Sequence, residues 1–137
     1  MIAERARAIV DVRVPSADER RRVDAFVRAL QPKNPRATLA ITGGIDRPPL
    51  ERTPAVVRLY ELAREVAKGL GQELAEGGTG GGSDGNFTAA IGVPTLDGLG
   101  AIGDGAHAVH EHVDIASLSW RTALVAGLIA RLAGHAV

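Results

Sequence analysis

Gly77-Gly78-Thr79-Gly80-Gly81-Gly82-Ser83-Asp84-Gly85 is the stretch on which the reading of this chain turns. Gly80, Gly82 and Gly85 satisfy G-x-G-x-x-G, with a strand candidate at 72–75 before it and a short helix candidate at 86–91 after it. A dinucleotide fold needs that order, with an acidic residue closing a second strand about 20 positions further on. Here the next strand candidate, Val93-Pro94-Thr95-Leu96, ends at Asp97, and the helix between is about two turns long. No Gly-Lys-Ser/Thr follows, so a P-loop is excluded. The run therefore reads as a loop whose backbone amides face a ligand, with Ser83 or Asp84 capping the short helix.

Outward from the loop, composition sets bounds. The chain has 137 residues, one domain's worth at most, with 45% hydrophobic and 23% charged residues, a globular balance. Lys+Arg and Asp+Glu are both 16, which argues against nucleic acid as a partner. There is no cysteine, so disulfides and thiolate metal sites are excluded. Aromatics are 3%, so the core must be aliphatic and rich in alanine. Of the 17 glycines, 11 fall between Gly77 and Gly105. Residues 1–71 hold 14 Lys/Arg against 9 Asp/Glu, a net +5, and residues 72–137 hold 2 against 7, a net −5. That split marks a change of architecture near the middle. Met1-Ile2-Ala3 runs straight into Glu4-Arg5 without an apolar leader, and no run of 18 apolar residues occurs. A cytoplasmic protein with no membrane partner is expected.

Upstream of the loop the pattern alternates between periods. Ala8, Val10, Val12 and Val14 share one face of a strand that Pro15 ends. Ser16 with Glu19 forms a capping box, and Val23, Phe26, Val27 and Leu30 make the apolar stripe of a helix. Residues 37–42 alternate again. Strand, helix, strand is half of a split βαββαβ sandwich. Residues 43–49 form a breaker cluster and a candidate domain hinge. Thr53-Pro54 opens a second helix, with Val57, Tyr60, Leu62, Val66 and Leu70 apolar, which Gly69 and Gly71 stop. Downstream, residues 99–107 read as a loop. Residues 115–133 read as a last helix, capped by Asp114 or Ser117, with Leu118, Leu124, Val125, Leu128, Ile129 and Leu132 apolar.

Two further constellations could carry chemistry. His107-Ala108-Val109-His110-Glu111-His112 packs three of the four histidines into six residues, with Asp104 nearby. Imidazole is a common metal ligand, but consecutive loop side chains diverge and a catalytic zinc takes three protein ligands. His135 is the only other histidine, so any metal would need donors from outside this chain. Arg47 stands between Asp46 and Pro48-Pro49, a setting suited to bidentate capture of a carboxylate and equally to a solvated hinge.

Taken in order, these pieces resemble the C-terminal part of the two-zinc exopeptidases and deacylases typified by glutamate carboxypeptidase, acetylornithine deacetylase, succinyl-diaminopimelate desuccinylase and aminoacylase. Val10-Asp11-Val12-Arg13-Val14-Pro15 resembles a strand of that family's lid. Gly43-Gly44-Ile45-Asp46-Arg47-Pro48-Pro49 is similar to the return from lid to catalytic domain. Gly80-Gly81-Gly82-Ser83-Asp84-Gly85 is similar to its Gly-Gly-Thr/Ser-Asp loop, and Gly103-Asp104-Gly105-Ala106-His107 through Glu111-His112-Val113 to its last zinc-ligand segment.

The resemblance implies an α/β architecture in two parts. Residues 1–46 would be half of an α+β (split βαβ) lid, and residues 47–137 the C-terminal part of a mixed, mainly parallel αβα catalytic sheet. It implies His107 as a metal ligand, Arg47 as the grip on the substrate carboxylate, and Gly81 and Gly82 as backbone lining the substrate. His110 and His112 match no ligand position. The complete enzyme would use two zinc ions and metal-activated water to cleave a small peptide or N-acyl amino acid, and would form a homodimer through the lid. The family's remaining ligands and its general base belong to its N-terminal half. The resemblance therefore implies a piece of an enzyme with no catalytic base of its own. Two rivals stand beside it: a non-catalytic dimerisation module, and a nucleotide-binding loop at 80–85.

Overall fold

The computed structural model describes residues 3–134; His135 lies outside them. The elements run α1 (Ala17–Arg28), α2 (Pro54–Gly69), α3 (Gly85–Ala90), β1 (Gly103–Asp104), β2 (His112–Val113) and α4 (Ile115–Gly134). Helices with one small sheet agree with a fragment of the α/β class.

Local sequence explains each helix. Ser16 Oγ accepts from the Glu19 amide at 3.2 Å and starts α1. Ion pairs one turn apart, Arg22–Glu19 and Arg28–Asp24, hold its exposed side and keep both carboxyls below the usual range through hydrogen bonds from the arginines. Thr53 Oγ1 caps α2 at the Val56 amide, and Pro54 occupies the first turn, where its missing N–H costs nothing. Asp114 Oδ1 accepts from the Ala116 amide at the start of α4.

The core lies between α2 and α4. Val56, Ala63 and Ala67 are buried from one side, and Leu124 and Leu128 from the other. These are not the large apolar residues of α2 singled out by the 3.6-residue pattern; small side chains occupy the contact. The reason is close approach. A Cβ on Gly127 would stand 2.7 Å from Val66 Cγ1, so the two helices meet where one has no side chain. By length and mean hydropathy (1.3) α4 would pass for a membrane span. It packs on α2 through Leu124 and Leu128, and loop carbonyls engage its Arg121.

The strand expectations need correction. Residues 8–14, 37–42, 72–75 and 93–96 are in neither helix nor ladder, and the mainly parallel sheet does not form among the described residues. A strand is stabilised by hydrogen bonds to a neighbour, and parallel strands lie buried under helices on both faces. Among the described residues no such neighbour pairs with these segments, and Ile9 and Val10 are 87% and 74% exposed. The stripe expected on α1 is only partly covered: Val23 and Val27 are half-buried, while Phe26, and Leu30 just past the helix end, are exposed. Among the described residues the one ladder is antiparallel, with Gly103 opposite Val113 and Asp104 opposite His112, and its first strand lies inside the segment 99–107 expected to be loop. A Cβ on Gly103 would fall 2.1 Å from the His112 carbonyl oxygen, so this pairing requires glycine there.

Two links tie the N-terminal segment to the middle of the chain, and a third lies within the middle. Glu51 accepts from the Ala17 amide at the start of α1, and Arg13 donates to the Gly80 carbonyl. Arg52 and Glu76 pair at 2.7 Å just before the glycine run, and the arginine's hydrogen bonds hold the Glu76 carboxyl below its usual range.

Candidate active-site loop

The glycine-rich loop and the Arg47 segment come together in space. Arg47 passes directly over Gly82, where a Cβ would lie 2.9 Å from Arg47 Cδ. Glycine at 82 is what leaves room for this approach. The guanidinium carbon sits 4.9 Å from the centroid of the Phe87 ring, within cation–π range. Its Nη1 is 3.6 Å from Asp84 Oδ1. Asp84 is 98% exposed, so this is a loose, hydrated pair that leaves the guanidinium edge open to a competing anion.

Hydrogen bonds stitch loop to hinge. Asn86 Nδ2 donates to the Pro48 carbonyl at 2.7 Å, and Asn86 Oδ1 accepts from the Ser83 amide at 2.9 Å. Gly85 packs under Leu50 and Thr95, where a Cβ would stand within 3.3 Å of both. Ser83 Oγ accepts from the Gly85 amide at 3.0 Å, while Asp84 makes no side-chain cap. Of the two expected caps, the serine is the one used. Gly81 is turned by Thr79 Oγ1, which accepts its amide at 3.2 Å. The far side of the loop belongs to Arg13, itself fixed by Asp11 at 3.0 Å.

Phe87 and Asn86 were not singled out by the sequence reading. A signal existed: Phe87 is one of two phenylalanines in a chain poor in aromatics, and it follows the last glycine of the loop by two positions.

His107 sits apart. No hydrogen bond or ion pair joins it to the Arg47 cluster among the described residues. Around it a turn closes with the Ala108 amide on the Gly105 carbonyl at 2.8 Å and the Glu111 amide on the Ala108 carbonyl at 3.1 Å. Its backbone has φ 67, the one positive value on a non-glycine residue among those described. Such a conformation costs an L-residue with a Cβ roughly 1 kcal/mol or more. We therefore expect His107→Gly to be more stable than His107→Ala by about 1 kcal/mol, since only glycine adopts this φ freely. Urea unfolding of the two variants checks this; equal midpoints and slopes would show that the turn relaxes without cost.

His110 and His112 do not converge on His107. His110 lies against Gly105, and His112 Nδ1 is 3.1 Å from the His110 carbonyl. Among the described residues no three His, Cys, Asp or Glu side chains gather as a metal site. One imidazole does not fit the three protein ligands that a catalytic zinc takes.

A glycine loop pinned to Arg47 is followed along the chain by a histidine turn, and these are the segments that carry the resemblance. Comparison with protein families decides the matter: the profile described as Peptidase family M20/M25/M40 matches residues 4–131. The chain belongs to this family. No curated protein and no solved structure matches it. As an M20/M25/M40 member the chain carries a peptidase- or amidohydrolase-type sequence over nearly its whole length, with a peptide-type substrate implied.

Proposed function

We propose that this chain is the C-terminal part of a zinc-dependent metallopeptidase, a carboxypeptidase or N-acyl amino acid amidohydrolase. Residues 1–46 supply part of the lid and residues 47–137 part of the catalytic domain. The observation that supports this best is the seating of Arg47 against Gly82 and over Phe87. A guanidinium held by an aromatic face on one side, with its edge free, is suited to take a substrate carboxylate by two parallel N–H···O bonds. The backbone of Gly81 and Gly82 then runs alongside the bound peptide or acyl group, because neither residue has a side chain to block it. His107 contributes one imidazole. The remaining zinc ligands and the general base lie outside this chain, so no hydrolytic step is assigned to its own residues. The complete enzyme is proposed to be cytoplasmic and to dimerise through the lid.

A second reading, a non-catalytic dimerisation module of the same ancestry, is favoured by the exposed apolar segments at 8–14 and on α1. Hydrolysis separates the two. The purified chain with added zinc is expected to leave N-acyl amino acids intact, and to support turnover only when a polypeptide carrying the other ligands is supplied. Turnover by the chain alone that is lost in His107→Ala would overturn the claim that its site is incomplete. No turnover under any complementation would leave the module reading.

A further inference from the structure

We infer that Arg121 is a positioning residue for the His107 turn, acting through a clamp between the first half of α4 and the loop at 98–102. The role given to His107 rests on the function proposed above; the clamp does not.

A buried guanidinium needs partners for its donors. Arg121 is 8% exposed, and its Nε donates to the Gly100 carbonyl at 2.6 Å while Nη2 donates to the Gly98 carbonyl. Gly98 has φ 71, a bend that a glycine adopts without strain and that precedes the two accepting carbonyls. The guanidinium also stands 5.0 Å from the Trp120 ring centroid. One turn earlier on α4, Ser117 is 1% exposed and bonds both ways: its Oγ accepts from the Ile102 amide at 3.1 Å and donates to the Asp114 carbonyl at 2.6 Å. The Asp114 amide closes the circuit on the Ile102 carbonyl at 2.7 Å.

Gly98, Gly100 and Ile102 are thus held one after another by α4. β1 follows at once, and the left-handed turn at His107 lies three residues beyond it. Ladder bonds from Gly103 and Asp104 to β2 carry the position onward. α4 is in turn anchored on α2 at Leu124 and Leu128. The backbone that leads into the His107 turn is therefore placed relative to the core by Arg121 and Ser117.

The test compares Arg121→Met, which keeps the apolar stem and removes every donor, with Arg121→Lys and Ser117→Ala. Hydrogen exchange read by mass spectrometry is expected to accelerate at least tenfold over residues 98–104 in Arg121→Met, with Arg121→Lys intermediate, while α2 keeps its protection. In the same variant the ¹³Cα and ¹³Cβ shifts of His107, which report its left-handed backbone, should move toward extended values. A merely structural arginine would loosen α2 and the loop together and leave those shifts alone; that result, or no acceleration in either segment, overturns the proposal. Ser117→Ala must loosen the same segment if the clamp is real. His107→Ala should leave exchange over 98–104 unchanged. If that variant also proves irrelevant to hydrolysis by the complemented protein, the role of His107 fails while the clamp stands.

Discussion

Replacing Arg47 with alanine is expected to lower kcat/KM about 100-fold toward a carboxylate-bearing substrate, in protein complemented with the remaining catalytic ligands. A bidentate charge-assisted hydrogen bond contributes about 1.5–3 kcal/mol, and roughly 2.7 kcal/mol corresponds to two powers of ten in rate. The loss should be selective: a substrate with its carboxylate converted to a neutral amide should be affected little by the same change. Arg47→Lys keeps the charge but loses the planar fork and the stacking on Phe87, so it should recover only part of the deficit. Gly82→Ala should reproduce a milder version, because the new methyl would crowd Arg47 Cδ from 2.9 Å and push the guanidinium off its position. Steady-state kinetics on the acid and amide substrates decide it. An equal loss on both would mean that Arg47 holds the hinge rather than the substrate, a role it could fill through the loop it covers.

The parts of this chain legible in the sequence are those whose cause is local. Ser16 with Glu19, Thr53 with Pro54, and Asp114 before Ile115 mark helix starts because each cap satisfies a backbone donor within three residues. The contact between the glycine loop and Arg47 has no such local cause. Arg47 and Gly82 are 35 positions apart, and a family resemblance rather than periodicity predicted that both would face the substrate; the structure sets them in contact. What local pattern could not give were features with a non-local cause. Ala8, Val10, Val12 and Val14 carry a sound strand alternation, yet no ladder forms, because alternation prepares a strand for a neighbour without supplying one. The β1–β2 pair showed no alternation at all, since it depends on one close backbone approach at Gly103. The apolar pattern of α4 included Leu124 and Leu128, which are buried, but the buried positions of α2 are Val56, Ala63 and Ala67, because Gly127 opposite Val66 lets the helices approach closely.

The same unpaired alternation leads to the second large expectation, self-association of the isolated chain. A compact monomer of 14.2 kDa exposes about 6,800 Å². This chain exposes 11122 Å², about 4,300 Å² more than that relation gives. A stable dimer needs to bury only about 800 Å² on each partner, so the surplus exceeds the requirement several-fold. Large apolar side chains are exposed on it: Ile9, Val10 and Val12 on the first segment, Leu39 and Ile41 on another, and Phe26 on α1 between them in sequence. Exposed segments with strand alternation pair with whatever offers a complementary edge, and a second copy always does. Light scattering at micromolar concentration should therefore give a mass at least twice 14.2 kDa. Val10→Lys, a charge on the exposed face of that segment, should shift the distribution toward monomer without altering the α2–α4 core, and circular dichroism should report the same helix content in both proteins. A monodisperse monomer with a single cooperative melt would mean that the apolar surface at 8–14 and 37–42 is covered in solution by a rearrangement of this chain itself, and the proposal that it awaits the rest of an enzyme would lose its physical ground.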